Sequence, residues 1–347
     1  MSKTNPVELL KIDNPEWMSF LQKNGSATIF HHPAWSQVSA NTYGYKPFVA
    51  VLKNVNGAIR AGIPFMEVKS PISGRKWVSL PFSDYCYPVF DDDVELNEFI
   101  EKIVSLSRAK GIALVEIRDD IQNSPTLFRD SSHVIHKAEL ESNCEKVFRR
   151  IHEMHRRNIN VARKNNVKIV FGNTLQHMLD FYKLHLQTRQ SQGVPIQPLG
   201  FFKKIQMLIL DQGLGFLILA YKDDKCIGGA VFLHWHKTLT YKFGASDPAG
   251  LNLRPNNLIM WTAMKWGCEN GFTCFDFGRT DLENKGLRTF KSRWGAEEKP
   301  LYYYSTKEPK SSNKSVSVLE NIVHTVIRNS PLWVCRLSGE LLYRYFG

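Results

Sequence analysis

The sequence predicts an α/β protein made of two similar units, each a mixed, mostly antiparallel sheet flanked by helices. Three observations carry this prediction. One order of elements, a hairpin, a third strand, a helix and a fourth strand, occurs twice with similar spacings. The helical stretches are punctuated as helices should be, with Pro just inside a start and Gly just past an end. A chain of 347 residues, 43% hydrophobic and 12% aromatic, has the length for two domains and the apolar surface to give each a core.

In the first half, Phe48-Val-Ala-Val-Leu52 and Ile59-Arg-Ala-Gly-Ile-Pro-Phe-Met-Glu-Val68 flank the turn signal Asn54-Val-Asn-Gly57 and read as a hairpin. Trp77-Val-Ser-Leu-Pro-Phe82 reads as the third strand. Apolar periodicity from Leu96 to Ala109, stopping at Gly111, gives the helix, and Ala113-Leu-Val-Glu-Ile-Arg118 the fourth strand. In the second half the same order runs through Phe216–Tyr221, Cys226–Leu233 and Thr238–Phe243, then a helix opening at Pro255 and stopping at Gly271, then Thr273-Cys-Phe-Asp-Phe277. Between the units, 144–166 and 174–192 read as helices. The Pro/Gly-rich link 193–200 leads into another helix reaching Leu210. Past Tyr304 the run Lys307-Glu-Pro-Lys-Ser-Ser-Asn-Lys314 is linker-like, and two short helical stretches close the chain.

Composition narrows the function classes. Nothing approaches the apolar run of about 18 residues that a membrane-spanning helix needs, and the first eight residues lack an apolar signal core, so a cytoplasmic location is expected. The six cysteines, Cys86, Cys144, Cys226, Cys268, Cys274 and Cys335, show no CxxC and read as free thiols in apolar segments. The pairs His152/His155, His133/His136 and His234/His236 lack the carboxylate or thiol neighbours of a ligand set, so no metal is expected. No GxSxG is present, which argues against a covalent hydrolase. Charge is concentrated. Between Lys146 and Lys168 eight Lys and Arg face the single acid Glu153, supplying +7 of the formal +12. A phosphate-bearing partner suits such a segment: a nucleotide-linked donor, a phospholipid surface or an RNA.

Two spans carry candidate chemistry. The approach to the second unit's helix, from Gly244 through Gly250 to Arg254-Pro-Asn-Asn257, combines glycines, free amides at a helix mouth and a cation, which suits a phosphate. Phe275-Asp-Phe-Gly-Arg-Thr-Asp281 ends a strand and enters a polar loop, 282–289, before Phe290-Lys-Ser-Arg-Trp-Gly295. This span concentrates Asp276, Arg279, Asp281, Arg288, Lys291 and Arg293. Cations at a strand end can hold a phosphate or stabilise an oxyanion, and Lys291 and Arg279 are the leading candidates. Asp276, between two Phe, reads equally well as a structural carboxylate.

These residues resemble those of the FemAB-like family, a tandem-GNAT branch of acyltransferases that includes proteins associated with exopolysaccharide synthesis. The resemblance rests on Phe275–Arg279, Phe290–Gly295, Pro255–Trp261, Phe30-His-His-Pro-Ala-Trp35, Leu80-Pro-Phe-Ser-Asp-Tyr85 and Arg156-Arg-Asn-Ile-Asn-Val-Ala-Arg-Lys164, and spans about residues 28–305. It implies two tandem GNAT-like domains, 1–143 and 144–306, followed by a linker and amphipathic helices over 307–347. It further implies transfer of an acyl or aminoacyl group to an amine of a cell-envelope glycan or peptidoglycan precursor, without a tightly bound cofactor and with acyl-CoA or aminoacyl-tRNA as co-substrate. Two departures leave the donor open: a long charged helical-hairpin insertion is missing, and so is the Arg/Gln-x-x-Gly-x-Gly/Ala signature. On this reading Lys291, Arg279, Asp281 and Asp84 serve the chemistry; Arg254, Asn256, Asn257 and Phe290 bind the donor; and Arg157, Arg163 and Lys164 bind the acceptor, a phosphate-bearing or lipid-linked glycan. The last helix, with Arg336, Glu340 and Arg344 on one face and Leu337, Leu341, Leu342, Tyr345 and Phe346 on another, offers peripheral contact with the inner face of the plasma membrane. The rival class is a non-catalytic GNAT-like protein that binds a nucleic acid or other polyanion through residues 146–168.

Overall fold

A computed structural model describes residues 6–70, 74–118, 121, 124, 126–308 and 324–342. Among these the chain divides into two compact units, 6–134 with 300–308, and 135–299 with 324–342.

The first unit runs β1 (Val7–Lys11), α1 (Pro15–Lys23), α2 (Pro33–Tyr43), β2 (Lys46–Lys53), β3 (Ile59–Ser70), β4 (Gly74–Val78), β5 (Val89–Phe90), α3 (Leu96–Ala109) and β6 (Leu114–Arg118). The expected hairpin is β2–β3, antiparallel with Val49 opposite Pro64. Asn54 builds its turn: Oδ1 accepts from the amides of Asn56 and Ala58, and Gly57 supplies the left-handed φ of 81°. The strand order is β1-β2-β3-β4-β6, and on β6 lies the end of β13 (Glu297–Ser305), where Tyr303–Ser305 pair antiparallel with Glu116–Arg118. Phe99, Ile100, Ile103 and Val104 of α3 bury their stripe against Ile63, Phe65, Trp77, Val115 and Ile117.

The third strand stops at Val78 rather than at Phe82. Beyond it Leu80 and Phe82 stand at φ of 62° and 66°, a region that costs bulky residues free energy and leaves no strand to extend. Hydrogen bonds hold the segment in place. Arg118 Nη1 donates to the carbonyls of Leu80 (3.2 Å) and Ser83 (3.3 Å), the Arg118 amide donates to Ser79 Oγ, and the Cys86 amide to Arg118 O.

The second unit takes up the chain within β7 (Phe128–Glu139) and continues through α4 (Cys144–Arg150), α5 (Glu153–Lys164), β8 (Lys168–Gly172), α6 (Leu175–Ser191), α7 (Leu199–Ile205), β9 (Gly215–Lys222), β10 (Lys225–Trp235), β11 (Thr238–Ser246), α8 (Pro255–Glu269), β12 (Cys274–Asp281) and α9 (Lys285–Ser292). Its strand order is β7-β12-β11-β10-β9-β8. A single helix was expected over 144–166; the chain instead breaks at Ile151 and His152, where His152 Nδ1 accepts the Met154 amide and starts α5 afresh. The polar loop expected over 282–289 is mostly α9, capped by Asn284 Oδ1 accepting the Leu287 amide at 3.1 Å. One face of the sheet, through Ile218, Ala220, Ala230, Phe232 and Leu239, packs on Leu258, Ile259, Ala263 and Met264 of α8.

All six cysteines are free. Burial pushes the thiols of Cys226, Cys268 and Cys274 up to about 11. The C-terminal helix Leu332–Leu342 packs on α6. Residues 309–314 of the expected linker, together with Arg344, Tyr345 and Phe346, lie outside the described residues.

Candidate functional site

The second unit's site begins with an interrupted ladder. β11 and β12 are parallel and pair over three positions, Thr238–Thr240 with Cys274–Asp276; β11 then runs on to Ser246 and β12 to Asp281 without laddering onto each other. A bulge between β10 and β11, at Val231/Phe232 opposite Tyr241 and Phe243, turns the strand where the ladder ends. Along 241–246 β11 is thereby left without β12 as a ladder partner, while at its far end the Ser246 amide donates to Thr188 Oγ1 of α6 at 3.4 Å. Gly244 keeps this stretch open to a neighbouring side chain, since a Cβ there would stand 1.8 Å from Tyr241 Oη.

The N-terminus of α8 lies beside the end of β11. Arg254 is its N-cap, exposed and in the left-handed region at φ 59°. Pro255 follows at the first helical position and packs where a Cβ on Gly228 would touch it at 3.2 Å. Asn256 Nδ2 donates to Ser246 Oγ at 3.3 Å, and Asn257, buried, donates through Nδ2 to His155 Nδ1 at 3.0 Å. Both asparagine side chains are thus engaged in structure, Pro255 has no N–H and the Asn257 amide donates to Arg254 O at 3.2 Å, which leaves the Asn256 amide and the exposed Arg254 at the helix mouth, a combination that favours an anion.

Lys291 lies in the last turn of α9, 3% exposed, and its Nζ donates to the carbonyls of Gly278 (2.9 Å) and Arg279 (3.0 Å). The ammonium is therefore anchored under the end of β12, where Gly278 at φ 68° turns the chain. Asp276 is fully buried and its Oδ1 accepts the Gly278 amide at 2.7 Å, the hydrogen-bonded arrangement of a structural carboxylate. Arg279 and Asp281 are exposed on the same strand. Arg288, one of the cations of this span, is bound bidentately to Glu298 at 2.7 and 2.8 Å, which holds that carboxyl below the usual carboxylate range. His136 Nε2 stands 3.0 Å from Glu298; burial first, then the charge of Lys291, lower its pKa.

Sequence reasoning set His155 aside as half of an HxxH pair, yet it joins three elements. From α5 it accepts from Asn257 of α8 through Nδ1 and donates through Nε2 to the carbonyl of Phe290 in α9 at 3.0 Å. Its ring lies 5.0 Å from that of Phe290 and 4.7 Å from Trp294. Buried to 2% exposure, it is held neutral: burial lowers its pKa. No local pattern flags it, because its partners stand 102 and 135 residues away in sequence.

The remaining candidates sit apart from this centre in different ways. Arg157 is exposed and pairs with Glu153 one turn away at 3.4 Å, while Arg163 and Lys164 are exposed at the end of α5. Asp84 belongs to the first unit, in the left-handed segment after β4, where its carbonyl accepts the Tyr303 hydroxyl at 2.7 Å. Among the described residues no cluster of His, Cys, Asp and Glu could hold a metal ion.

A family model described as an acetyltransferase (GNAT) domain matches residues 149–292, the stretch from α4 to α9 just described. The lipid II:glycine glycyltransferases of Staphylococcus saprophyticus and Staphylococcus aureus are each 35% identical to this chain over 75 residues, 20% of this chain. The chain's match spans 18% of the length of these curated relatives. Among solved structures, FemX superposes with a TM-score of 0.72 at 14% identity, over 91% of this chain and all of that one. A tandem GNAT protein from the clavulanic acid biosynthesis pathway gives 0.54 at 8% identity, over 88% and 100%. The fold is thus the GNAT fold. Over residues 149–292 the chain matches the GNAT acetyltransferase family model, and its likeness to FemX is one of fold.

Proposed function

We propose that this protein moves an acyl or aminoacyl group from an activated donor to an amine of a cell-envelope glycan or peptidoglycan precursor. The observation that carries this reading is the gathering, in one unit, of the opened β11–β12 edge, the α8 mouth at Arg254 and the buried Lys291. The family match and the naming of the relatives for lipid II support a lipid-linked acceptor, met at the cytoplasmic face of the plasma membrane. The two units are taken as tandem GNAT-like domains, the second holding the donor.

In this reading a neutral amine attacks the donor's thioester or ester carbonyl. The C–N bond forms as the carbonyl oxygen takes up charge, and the intermediate collapses by expelling thiolate or alkoxide while the amine loses a proton. Positioning supplies most of the acceleration. Arg279 and Lys291 stabilise the oxyanion, Lys291 also by fixing the carbonyls of 278 and 279. Arg254 with the Asn256 amide holds donor phosphate, Asn257 fixes the helix mouth through His155 and Arg254 O, and Phe290 packs on the donor. Asp281 orients or deprotonates the amine, and Arg157, Arg163 and Lys164 grip the acceptor's phosphates. GNAT domains generally take acyl-CoA, which makes it the first donor to test ahead of aminoacyl-tRNA.

The test is thermal-shift screening against acetyl-CoA, longer acyl-CoAs, UDP-linked muropeptide and aminoacyl-tRNA, with Arg254→Ala in parallel, since a ligand of the folded state raises Tm by mass action. Stabilisation by an acyl-CoA, lost in Arg254→Ala, is the expected result. Stabilisation by nucleic acid irrespective of its aminoacylation, with no response to any acyl donor or muropeptide, would replace acyl transfer by polyanion binding.

A further inference from the structure

We propose that the C-terminal helix Leu332–Leu342 docks the protein peripherally on an anionic lipid bilayer, with Trp333 and Leu337 entering the interface. The helix is seated on the second unit by one face only. Cys335 is fully buried and its Sγ donates to the carbonyl of Val194 at 3.7 Å. Gly339 brings the helix backbone so close to the 194–197 segment that a Cβ would lie 1.9 Å from Ile196 O. Ahead of the helix, Ile327 is buried and the Gln190 side chain donates to Ser330 O, so the whole segment is tied down without its outer face.

That outer face carries large apolar side chains beside one ion pair. Trp333 is 62% exposed and Leu337, one turn on, 44%. Leu332 at the helix start and Val326 just before it are exposed as well. Single exposed apolar side chains are common on protein surfaces, but four large ones within twelve residues, led by a tryptophan, form a patch of the kind that meets a partner. The surrounding charge identifies the partner. Arg336 lies on the exposed side, paired with Glu340 at 3.1 Å, and Arg328 is exposed nearby. From residue 307 onward the chain carries six Lys and Arg against three Glu, within a protein of net charge +12. An apolar stripe beside two exposed arginines, Arg328 and Arg336, fits the headgroup boundary of an anionic membrane, and the indole ring, apolar in body with an N–H at its edge, is suited to that depth. Among the described residues no helix is long and apolar enough to cross a membrane, so the contact lies in the interface plane.

The inference stands independently of the donor and acceptor, and its test needs neither. The full chain is floated with vesicles of phosphatidylcholine alone and of phosphatidylcholine with about one third phosphatidylglycerol, beside Trp333→Ser/Leu337→Ser. Both positions are exposed, so the variant is expected to keep the parent's Tm. Flotation on the anionic vesicles, falling at least about tenfold in the double variant and weakening with salt, is the expected result. In a second measurement, bromine-labelled lipid should quench wild-type fluorescence and lose much of that quenching in Trp333→Phe. Equal flotation of parent and double variant would overturn the proposal. So would an absence of flotation together with concentration-dependent sedimentation abolished by the same substitutions, which would assign the patch to a second copy of the chain.

Discussion

At the residue scale the centre depends on polar groups buried with their partners. Lys291 donates to two backbone carbonyls from 3% exposure, so its removal leaves acceptors without a donor in a closed space. Lys291→Met, which keeps the stem, is expected to lower the unfolding free energy by about 1–3 kcal/mol and to reduce turnover by about two orders of magnitude or more. Urea unfolding reads the first effect, and a transfer assay well below Tm, where all of the variant is folded, reads the second. Full turnover in a destabilised variant would make Lys291 a structural residue alone. Lys291 was legible in the sequence because it lies in a compact motif among other cations. His155 was not, since its meaning comes from Asn257 and Phe290, which only the fold brings to it. Arg288 was legible as a cation, but not as one bound to Glu298, because that partner lies across a helix end and a strand start.

At the scale of elements, the helix mouth of α8 combines strain with charge. Arg254 occupies φ 59°, where glycine is at home, and no side chain caps the helix. Arg254→Gly is therefore expected to raise stability, or leave it level, within about 1 kcal/mol, whereas Arg254→Ala keeps the strain and gains nothing. Both should weaken binding of a phosphate-bearing donor alike. Thermal melts of the two variants, with and without acyl-CoA, separate backbone from charge; equal ligand shifts in both variants and parent would remove Arg254 from the donor site. The strands and helices of the duplicated unit were legible because their period and turn residues agree, as in Asn54–Gly57 and Pro255–Gly271. α9 was misread because Gly286, a weak helix former, stands in its first turn, and the Asn284 cap together with the packing of Lys291 and Trp294 decides the matter. β13 went unseen for a related reason: Glu297-Glu-Lys-Pro300 reads as a loop, and only its end, Leu301 to Tyr304, carries a strand signal, later realised against β6.

For the whole molecule, the duplication was legible because each unit buries its own core; the return of residues 300–308 to the first unit was not, because contacts of that sequence separation leave no periodic trace. Both units also share a response to acid that neither pattern nor motif announces. In the first, His31 is enclosed, with Nδ1 accepting from the Thr28 amide and Nε2 donating to Tyr87 O, and burial pulls its pKa down to about 4. In the second, His185 is buried among Phe181, Phe202 and Phe243, and burial pulls its pKa down to about 3. The folded chain keeps both rings neutral while the unfolded chain protonates them near the ordinary value of 6.5. Between that value and about 4 the unfolded state thus binds more protons, and stability falls as pH falls. Each histidine should cost about 2 kcal/mol between pH 7 and pH 5. The depressed carboxyls Glu67, Glu298 and Asp247 withdraw their contribution mainly below their ordinary values of 4.5 and 3.8, so between pH 7 and pH 5 the histidines dominate. Urea midpoints measured at pH 7.0, 6.0 and 5.0 should decline steadily, and His185→Leu, which cannot be protonated, should flatten the decline in part while leaving the share due to His31 and to the other histidines whose pKa burial lowers, His32, His136, His155 and His234. A midpoint constant across this range would mean that the rings are protonated in the folded chain and that their pockets admit water.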